Sequence, residues 1–376
     1  MRVIFASTED VPSASDRNAL SVINVCVPCA FCDSNLSLFR SSHVQEFSRT
    51  SLAHSTRKAY DGAWKRFRTL ASARDLCALP CSPKDFNVLI ADYAHENKKF
   101  HAVKLLVEAV SFFHRSHGFD PPSMNSHTKI VMRGIKKCFY QKPKRAKPLD
   151  GALVASLVSS LLGDDRWCSS FYDVSLRRWR TAASIIFSFA ALCRFNDLQN
   201  LCVNNLSFEA NKVLIFIPRS KTDQCGEGQL ISLQASGKDS CPVAFIKAFV
   251  RRLLWEAALE GSVYSGPLFP SLVRRRVSGP LGSCWSTLPA PSSPAKPFSY
   301  QAALMDFRSA LADVGVKKED YSLHSGRRGG ATEAVRNGCD LLTLKRQGRW
   351  RSDSCPQLYV DDVLNGSSRF SQFLSI

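Results

Sequence analysis

From Ser48 to about Lys142 the apolar positions recur at helical spacing. Ser55 is placed to cap a helix carrying Tyr60, Trp64 and Phe67, and Ser82-Pro83-Lys84-Asp85 opens a second one with Val88, Leu89 and Tyr93. Two more are predicted from Val103 to His114 and from Ser126 to Phe139. Helices from Gly151 to Leu162 and from Leu176 to Leu192 follow. The period then changes: Leu206-Ser207-Phe208, a turn at Ala210-Asn211, the β-rich run Val213 to Ile217, a glycine turn at Gly226 and Gly228, and Leu230 to Leu233 predict a small antiparallel sheet. Pro242, after a candidate cap at Ser240, starts a long helix ending near Leu259. Residues 265–299 are rich in Pro, Ser and Gly, contain Arg274-Arg275-Arg276, and read as a loop or insertion; helical pattern resumes from Gln301 to Val314 and persists almost to the end. The fold class is mainly α with a small antiparallel β-sheet, that is, α+β.

These patterns divide the chain into five parts. Residues 1–47 lack sustained periodicity and read as a poorly ordered or accessory arm; 48–140 form a helical domain. Residues 141–148, Gln141-Lys142-Pro143-Lys144-Arg145-Ala146-Lys147-Pro148, form a basic, proline-bounded linker. A larger domain spans 149–362, and 363–376 is a tail. Leu364, Phe370, Phe373 and Leu374 are too spaced to make a core of their own, so the tail either docks on a neighbouring protomer or folds back on its own domain.

Fifty Lys and Arg against thirty-two Asp and Glu give a net charge of +18, spread along most of the chain. A polyanionic partner explains such an excess, and nucleic acid leads the candidates. Arg57, Lys58, Lys65, Lys98, Lys99, Lys104, Arg133, Lys136 and Lys137 punctuate the first helices, although a solvated basic face has the same pattern. The fourteen cysteines are mostly scattered singly, as at Cys138, Cys193 and Cys339, and no signal peptide is read; reduced thiols inside a cell are expected. Cys26, Cys29 and Cys32 cluster, with His43 as a conceivable fourth ligand, but coincidence is the better reading than zinc. The longest apolar run, Ala182 to Cys193, is shorter than a bilayer span, so no membrane segment is expected.

Three features carry candidate chemistry. Arg194 ends an apolar helix and is followed three positions on by Asp197; a guanidinium there requires an internal carboxylate or an anionic ligand. In Leu323-His324-Ser325-Gly326-Arg327-Arg328-Gly329-Gly330-Ala331-Thr332 a histidine and an arginine share one face at a helix start, where main-chain amides add positive potential. In Gly348-Arg349-Trp350-Arg351-Ser352, Ser352 can cap a short helix carrying Tyr359. Each alone has a structural reading: a salt bridge, a common motif, a packed tyrosine.

Together, in this order and at these intervals, they resemble the signature of the tyrosine recombinase family, also called phage integrases. The resemblance covers about Ser48 to Tyr359, and the helical part looks like that family's core-binding domain ahead of a catalytic domain. The wording His-Ser-Gly-Arg-Arg-Gly-Gly-Ala-Thr is similar to enzymes of eukaryotic Crypton and DIRS mobile elements. The resemblance places a catalytic lysine on the turn between the second and third strands, where Lys221 stands with Arg219 as its nearest competitor. Trp350 occupies a position that the family fills with His or Trp, and the stretch before Gln301 is longer than the family core needs.

The family's chemistry, carried onto these positions, implies strand cleavage and rejoining through a 3′-phosphotyrosine at Tyr359. Arg194 and Arg327 would clamp the phosphate, His324 and Trp350 would add hydrogen bonds, Lys221 would protonate the leaving 5′ oxygen, and Asp197 would orient an arginine or the histidine. Arg57, Lys58, Lys65, Lys104, Lys144, Arg145, Arg219 and Arg328 are the expected DNA contacts. The expected reaction is site-specific recombination or integration of a mobile element, without metal, nucleotide or other cofactor. The expected partners are double-stranded DNA and further copies of the chain in a tetramer, with no membrane. The setting is the nucleus if the source is eukaryotic and otherwise the cytoplasm, and the chain is not secreted. A type IB topoisomerase and a catalytically silent DNA-binding descendant are the alternatives.

Overall fold

A computed structural model describes residues 42–364 apart from 143, 164–173, 222, 224, 238–240, 260, 277–283 and 290–294. The chain divides between Pro143 and Lys144 into two compact units. The first contains α1 (Ser42–Thr50), α2 (His54–Ser72), α3 (Pro83–Asn97), α4 (Phe100–Ser116) and α5 (Ser126–Phe139). Its core is aromatic: Trp64 and Phe67 from α2, Phe86 from α3 and Phe113 from α4 are buried, with Trp64 stacked on Phe113 at 4.7 Å. Ser82 accepts a hydrogen bond from the Asp85 amide and is followed by Pro83, so α3 starts as the sequence indicates. Ser55 does not cap α2; the helix begins one residue earlier, after Ala53, and no side chain caps it. The expected unpatterned arm also ends sooner, because residues 42–47 already belong to α1. His43 is exposed there, whereas Cys26, Cys29 and Cys32 lie outside the described residues.

The second unit contains α6 (Gly151–Leu162), α7 (Leu176–Ala190), α8 (Phe195–Asn200), β1 (Leu206–Phe208), β2 (Lys212–Ile217), β3 (Gln229–Gln234), α9 (Pro242–Leu259), β4 (Val273–Arg276), β5 (Cys284–Thr287), α10 (Tyr300–Asp313), α11 (Ser325–Arg336), α12 (Leu341–Gly348) and α13 (Ser354–Leu364). The first three strands form an antiparallel sheet in the order β1-β2-β3. Alternate residues Val213, Ile215 and Ile217 of β2 are buried and pair across β3 with Leu233, Ile231 and Gln229. Residues 265–299, expected as a loop, hold the antiparallel ribbon of β4 and β5. Three consecutive arginines and flanking prolines hide any period-two signal there. Helix α13 starts at Ser354, two residues past the expected cap Ser352, whose hydroxyl contacts Ser354 Oγ at 3.0 Å instead.

Two features of this unit position the site. The linker is fastened to it from Lys144 onward: Lys144 and Lys147 both pair with Asp320, and the Leu149 amide donates to the Ser325 carbonyl at 3.1 Å. Helix α11 also lies very close to its neighbours. A Cβ added at Gly329 would stand 1.8 Å from the Leu149 carbonyl oxygen, and one at Gly330 would stand 1.9 Å from that of Phe189. The paired glycines thereby let the helix that follows His324 pack directly onto the main chain before α6, through Gly329, and at the end of α7, through Gly330. Among the described residues no helix is long and apolar enough to cross a membrane, and no group of three or more His, Cys, Asp or Glu could hold a metal.

Candidate active site

Two helix ends build the floor of the site, and they share an uncommon backbone device. Helix α7 stops at Leu192, with φ of 49°, and the next amide, of Cys193, reaches back to the Phe187 carbonyl. Helix α12 stops at Arg349, with φ of 54°, and the Trp350 amide reaches back to the Lys345 carbonyl. Glycine is the usual residue at such a left-handed stop, and a side chain there costs roughly 1–2 kcal/mol. Lys98 ends α3 in the same way, so the conformation alone marks no function; Leu192 and Arg349 adopt it at the point where the candidate residues converge and thereby position them. Gly348 supplies the remaining space: a Cβ on it would lie 1.9 Å from the Trp350 ring.

Around these stops the motif residues come together. Arg327 is fully buried; its Nη1 donates to the Leu192 carbonyl and its Nη2 to the Gly348 carbonyl, and its guanidinium carbon lies 4.4 Å from the Trp350 ring centroid. Trp350 in turn lies 5.4 Å from the Tyr359 ring, and both join Leu192, Ala331 and Leu344 in a small apolar cluster separate from the main core. Tyr359 is buried on α13. Arg194 stands at the start of α8, where its amide donates to Asp197 Oδ2 at 2.8 Å. His324 precedes α11 in a turn in which Ser322 Oγ accepts from the His324 amide and Ser325 Oγ accepts from the Ser322 amide.

Positive charge is concentrated here beyond what is neutralised. Burial pushes the pKa of Arg327 down, and Arg194 and Arg349 add to that, while Tyr359 and Asp197 oppose it. Burial likewise pushes Arg194 down, with Asp197 and Tyr359 acting against it and Arg349 with it. His324 is pushed down to about 4, first by desolvation and then by Arg327, Arg194, Arg328 and Lys221. Arg194 Nη1 and Arg327 Nε are buried without a hydrogen-bond partner. A set of N–H donors with surplus positive charge suits a multiply charged oxyanion.

The other expected residues are placed as follows. Lys221 is exposed on the turn between β2 and β3, and its charge is felt at His324. Arg219 is exposed on the same turn, and its carbonyl accepts from Asn200 at 3.5 Å. Arg328 is half-buried and donates to the Ala146 carbonyl; Arg145 is exposed, and Lys144 shares Asp320 with Lys147. Lys58, Lys65 and Lys104 are exposed on the first unit and Arg57 is half-buried there.

Sequence reasoning passed over Arg349. It is 3% exposed, its Nη2 donates to Asp197 Oδ2 at 2.8 Å and to the Leu192 carbonyl at 3.1 Å, and it therefore claims the carboxylate that the sequence left to an unspecified arginine or histidine. Asp197 is itself fully buried. The signal was an arginine between Gly348 and Trp350, but nothing in its spacing tells a buried partner from a solvated one.

No protein-family model matches the chain. The chain is 26% identical over 343 residues to an "Integrase/recombinase xerD homolog" of Selenomonas ruminantium, an alignment covering 87% of this chain and 90% of that protein. Among solved structures it is similar to a lambda integrase dimer bound to a COC' core site, with a TM-score of 0.49 and 14% identity, covering 89% of this chain and 80% of that one. It is also similar to XerH site-specific recombinase in a post-cleavage complex on palindromic difH, with a TM-score of 0.48 and 14% identity over 76% and 70% of the two chains. In its ordered motifs and over nearly its whole length the chain is similar to tyrosine recombinases, that integrase/recombinase among them.

Proposed function

We propose that the chain cleaves and rejoins DNA through a covalent 3′-phosphotyrosine at Tyr359, in site-specific recombination or integration. The observation that carries the reading is the surplus of positive charge beside a buried tyrosine: Arg194, Arg327 and Arg349 converge where Asp197 is the carboxylate acting on them. Such a surplus is tolerable in a scaffold only if an anion joins it, and a phosphodiester brings both the anion and an electrophile for the phenol.

In the proposed step the Tyr359 oxygen attacks phosphorus, the P–O5′ bond breaks, and the 5′ oxygen takes a proton from Lys221. The phenolic proton passes to His324, which is neutral near pH 7 because desolvation first and the site cations next hold its pKa down. Arg194 and Arg327 bind the non-bridging oxygens, whose charge grows in the pentavalent transition state. Trp350 donates one hydrogen bond and covers the Arg327 guanidinium. The phosphotyrosyl bond conserves the energy of the phosphodiester, so rejoining needs no nucleotide. DNA held by the basic residues of both units, and a tetramer of chains on two sites, complete the proposal.

A suicide DNA substrate, nicked so that the released 5′ fragment diffuses away, tests it. The parent protein should form an adduct that survives denaturant, and Tyr359→Phe should bind the same DNA and form none. An adduct with the Tyr359→Phe protein would remove Tyr359 as the nucleophile.

A further inference from the structure

The turn that carries Lys221 has an anchor of its own. Asp223, two positions further on, donates its backbone amide to the Ser220 carbonyl at 3.1 Å, and the two residues form an isolated bridge that closes the turn around the lysine. Its carboxylate reaches forward. Oδ1 accepts from the amides of Gly226 at 2.9 Å and Glu227 at 3.2 Å, and Oδ2 accepts from Gly228 at 2.8 Å. The Gly228 amide first, then those of Glu227 and Gly226, and Arg351 at longer range, hold this carboxyl below its usual range.

Gly226 and Gly228 have φ of 77° and 76°, which is how nearly successive amides converge on one anion. A side chain at Gly228 would be strained by its φ of 76° and would crowd the Ile217 carbonyl at 3.3 Å. One side chain therefore ties the lysine turn to the start of β3. Asp223, Glu227 and Gly228 also share a cleft of about 480 Å³ with Arg349, Trp350 and Arg351, so the anchored turn faces the segment that builds the site floor.

We propose that Asp223 is a positioning residue that, by gathering these amides, holds the turn in the conformation that delivers the Lys221 ammonium to the leaving oxygen. The inference rests on the reading of Lys221 as the acid. An aspartate that acts through a proton donor has a signature that a merely structural one lacks. If the bridging 5′ oxygen is replaced by sulfur, attack by Tyr359 forms the same O–P bond but breaks P–S, and the departing thiolate needs no proton.

Single-turnover cleavage of the oxygen substrate and of the 5′-bridging phosphorothiolate substrate is measured for the full chain and for Lys221→Ala and Asp223→Asn. On oxygen, Lys221→Ala should lose about 10²–10⁴-fold and Asp223→Asn up to about a hundredfold. On sulfur both should cleave as the parent protein does. Comparison of two substrates on one preparation cancels any loss of folded protein. If Lys221→Ala stays slow on sulfur, the reading of Lys221 as acid fails and this proposal fails with it. If Lys221→Ala recovers and Asp223→Asn does not, or if Asp223→Asn is not slowed on oxygen, Asp223 is part of the scaffold only and the proposal alone is overturned.

Discussion

Four arginines of the second unit are almost wholly withdrawn from water; Arg349 has the Asp197 carboxylate, and the other three are treated in two different ways. Arg180 donates to Asp306 at 2.7 Å and to the Pro270 carbonyl at 2.6 Å, with Arg177 on the same carboxylate. Arg252 lies 2.5 Å from Glu256 Oε2 and under the Trp255 ring at 4.6 Å. Arg327 lies under an indole at nearly the same distance, but its terminal nitrogens meet two carbonyls and no carboxylate. Carbonyls orient a guanidinium without cancelling its charge. Each of the three keeps a buried Nε without a partner, so the difference lies in charge: the scaffold arginines have their carboxylate, the site arginine is a held charge awaiting one, and that separates a structural buried cation from a functional one when burial alone does not.

The sharpest way to break the comparison is to exchange losses. Arg327→Ala should slow cleavage by about 10²–10³-fold while lowering the melting temperature less than Asp306→Ala does. Asp306→Ala leaves Arg180 buried without its partner, an expected cost of ~3–5 kcal/mol, and should leave cleavage per folded molecule unchanged. Equal thermal losses in a denaturation scan would show that Arg327 is scaffold too.

Asp197→Asn comes next, because Arg349 and Asp197 are both fully enclosed and the change strands one charge, at about 3 kcal/mol or more. Adding Arg349→Met should recover most of the stability in a double-mutant cycle but not the cleavage rate. Full recovery of both would reduce the pair to packing.

The two indoles offer a finer contrast. Trp350→Phe should cost about tenfold in cleavage, the size of a desolvated cation–π contact plus a hydrogen bond, and Trp255→Phe should leave the rate untouched. A rate loss at Trp255 would erase the distinction. The smallest effect is a pH dependence. Because the folded protein holds His324 at about 4, below the unfolded value of about 6.5, the unfolded chain binds the extra proton between these values. Stability is then complete above about pH 6.5 and falls as pH drops toward 4. His324→Gln should flatten that part of the curve, and phosphate-bearing DNA should raise the histidine's pKa in a proton NMR titration.

Much of this was legible in the sequence where local chemistry dominates. Ser82-Pro83 starts α3, Ser126–Phe139 and Gly151–Leu162 are helices over the expected residues, and alternation at Val213, Ile215 and Ile217 makes the central strand. The order Arg194, His324, Arg327, Trp350, Tyr359 pointed to one site through its resemblance to the tyrosine recombinase signature, since each residue alone had a structural reading. What stayed hidden depends on tertiary structure. The β4–β5 ribbon is held by pairing and has no period of its own. A left-handed leucine or arginine contradicts local preference, so neither helix stop could be read in advance. Arg349 became part of the site only when the fold brought α12 to Asp197, 152 positions earlier in the chain.

The carbonyl of Leu192 accepts from Arg327 and from Arg349, so the junction of the site's two enclosed guanidiniums is a main-chain atom. Alanine scanning is blind to it. Any residue able to adopt the same backbone angles at 192 presents the same oxygen, so what restricts that side chain is its packing with Trp350, Tyr359 and Leu344 and not the hub. A main-chain ester in place of the amide between Leu192 and Cys193 weakens that carbonyl as an acceptor and also removes the Cys193 amide that reaches Phe187, so it tests the hub and the helix stop together without altering a side chain.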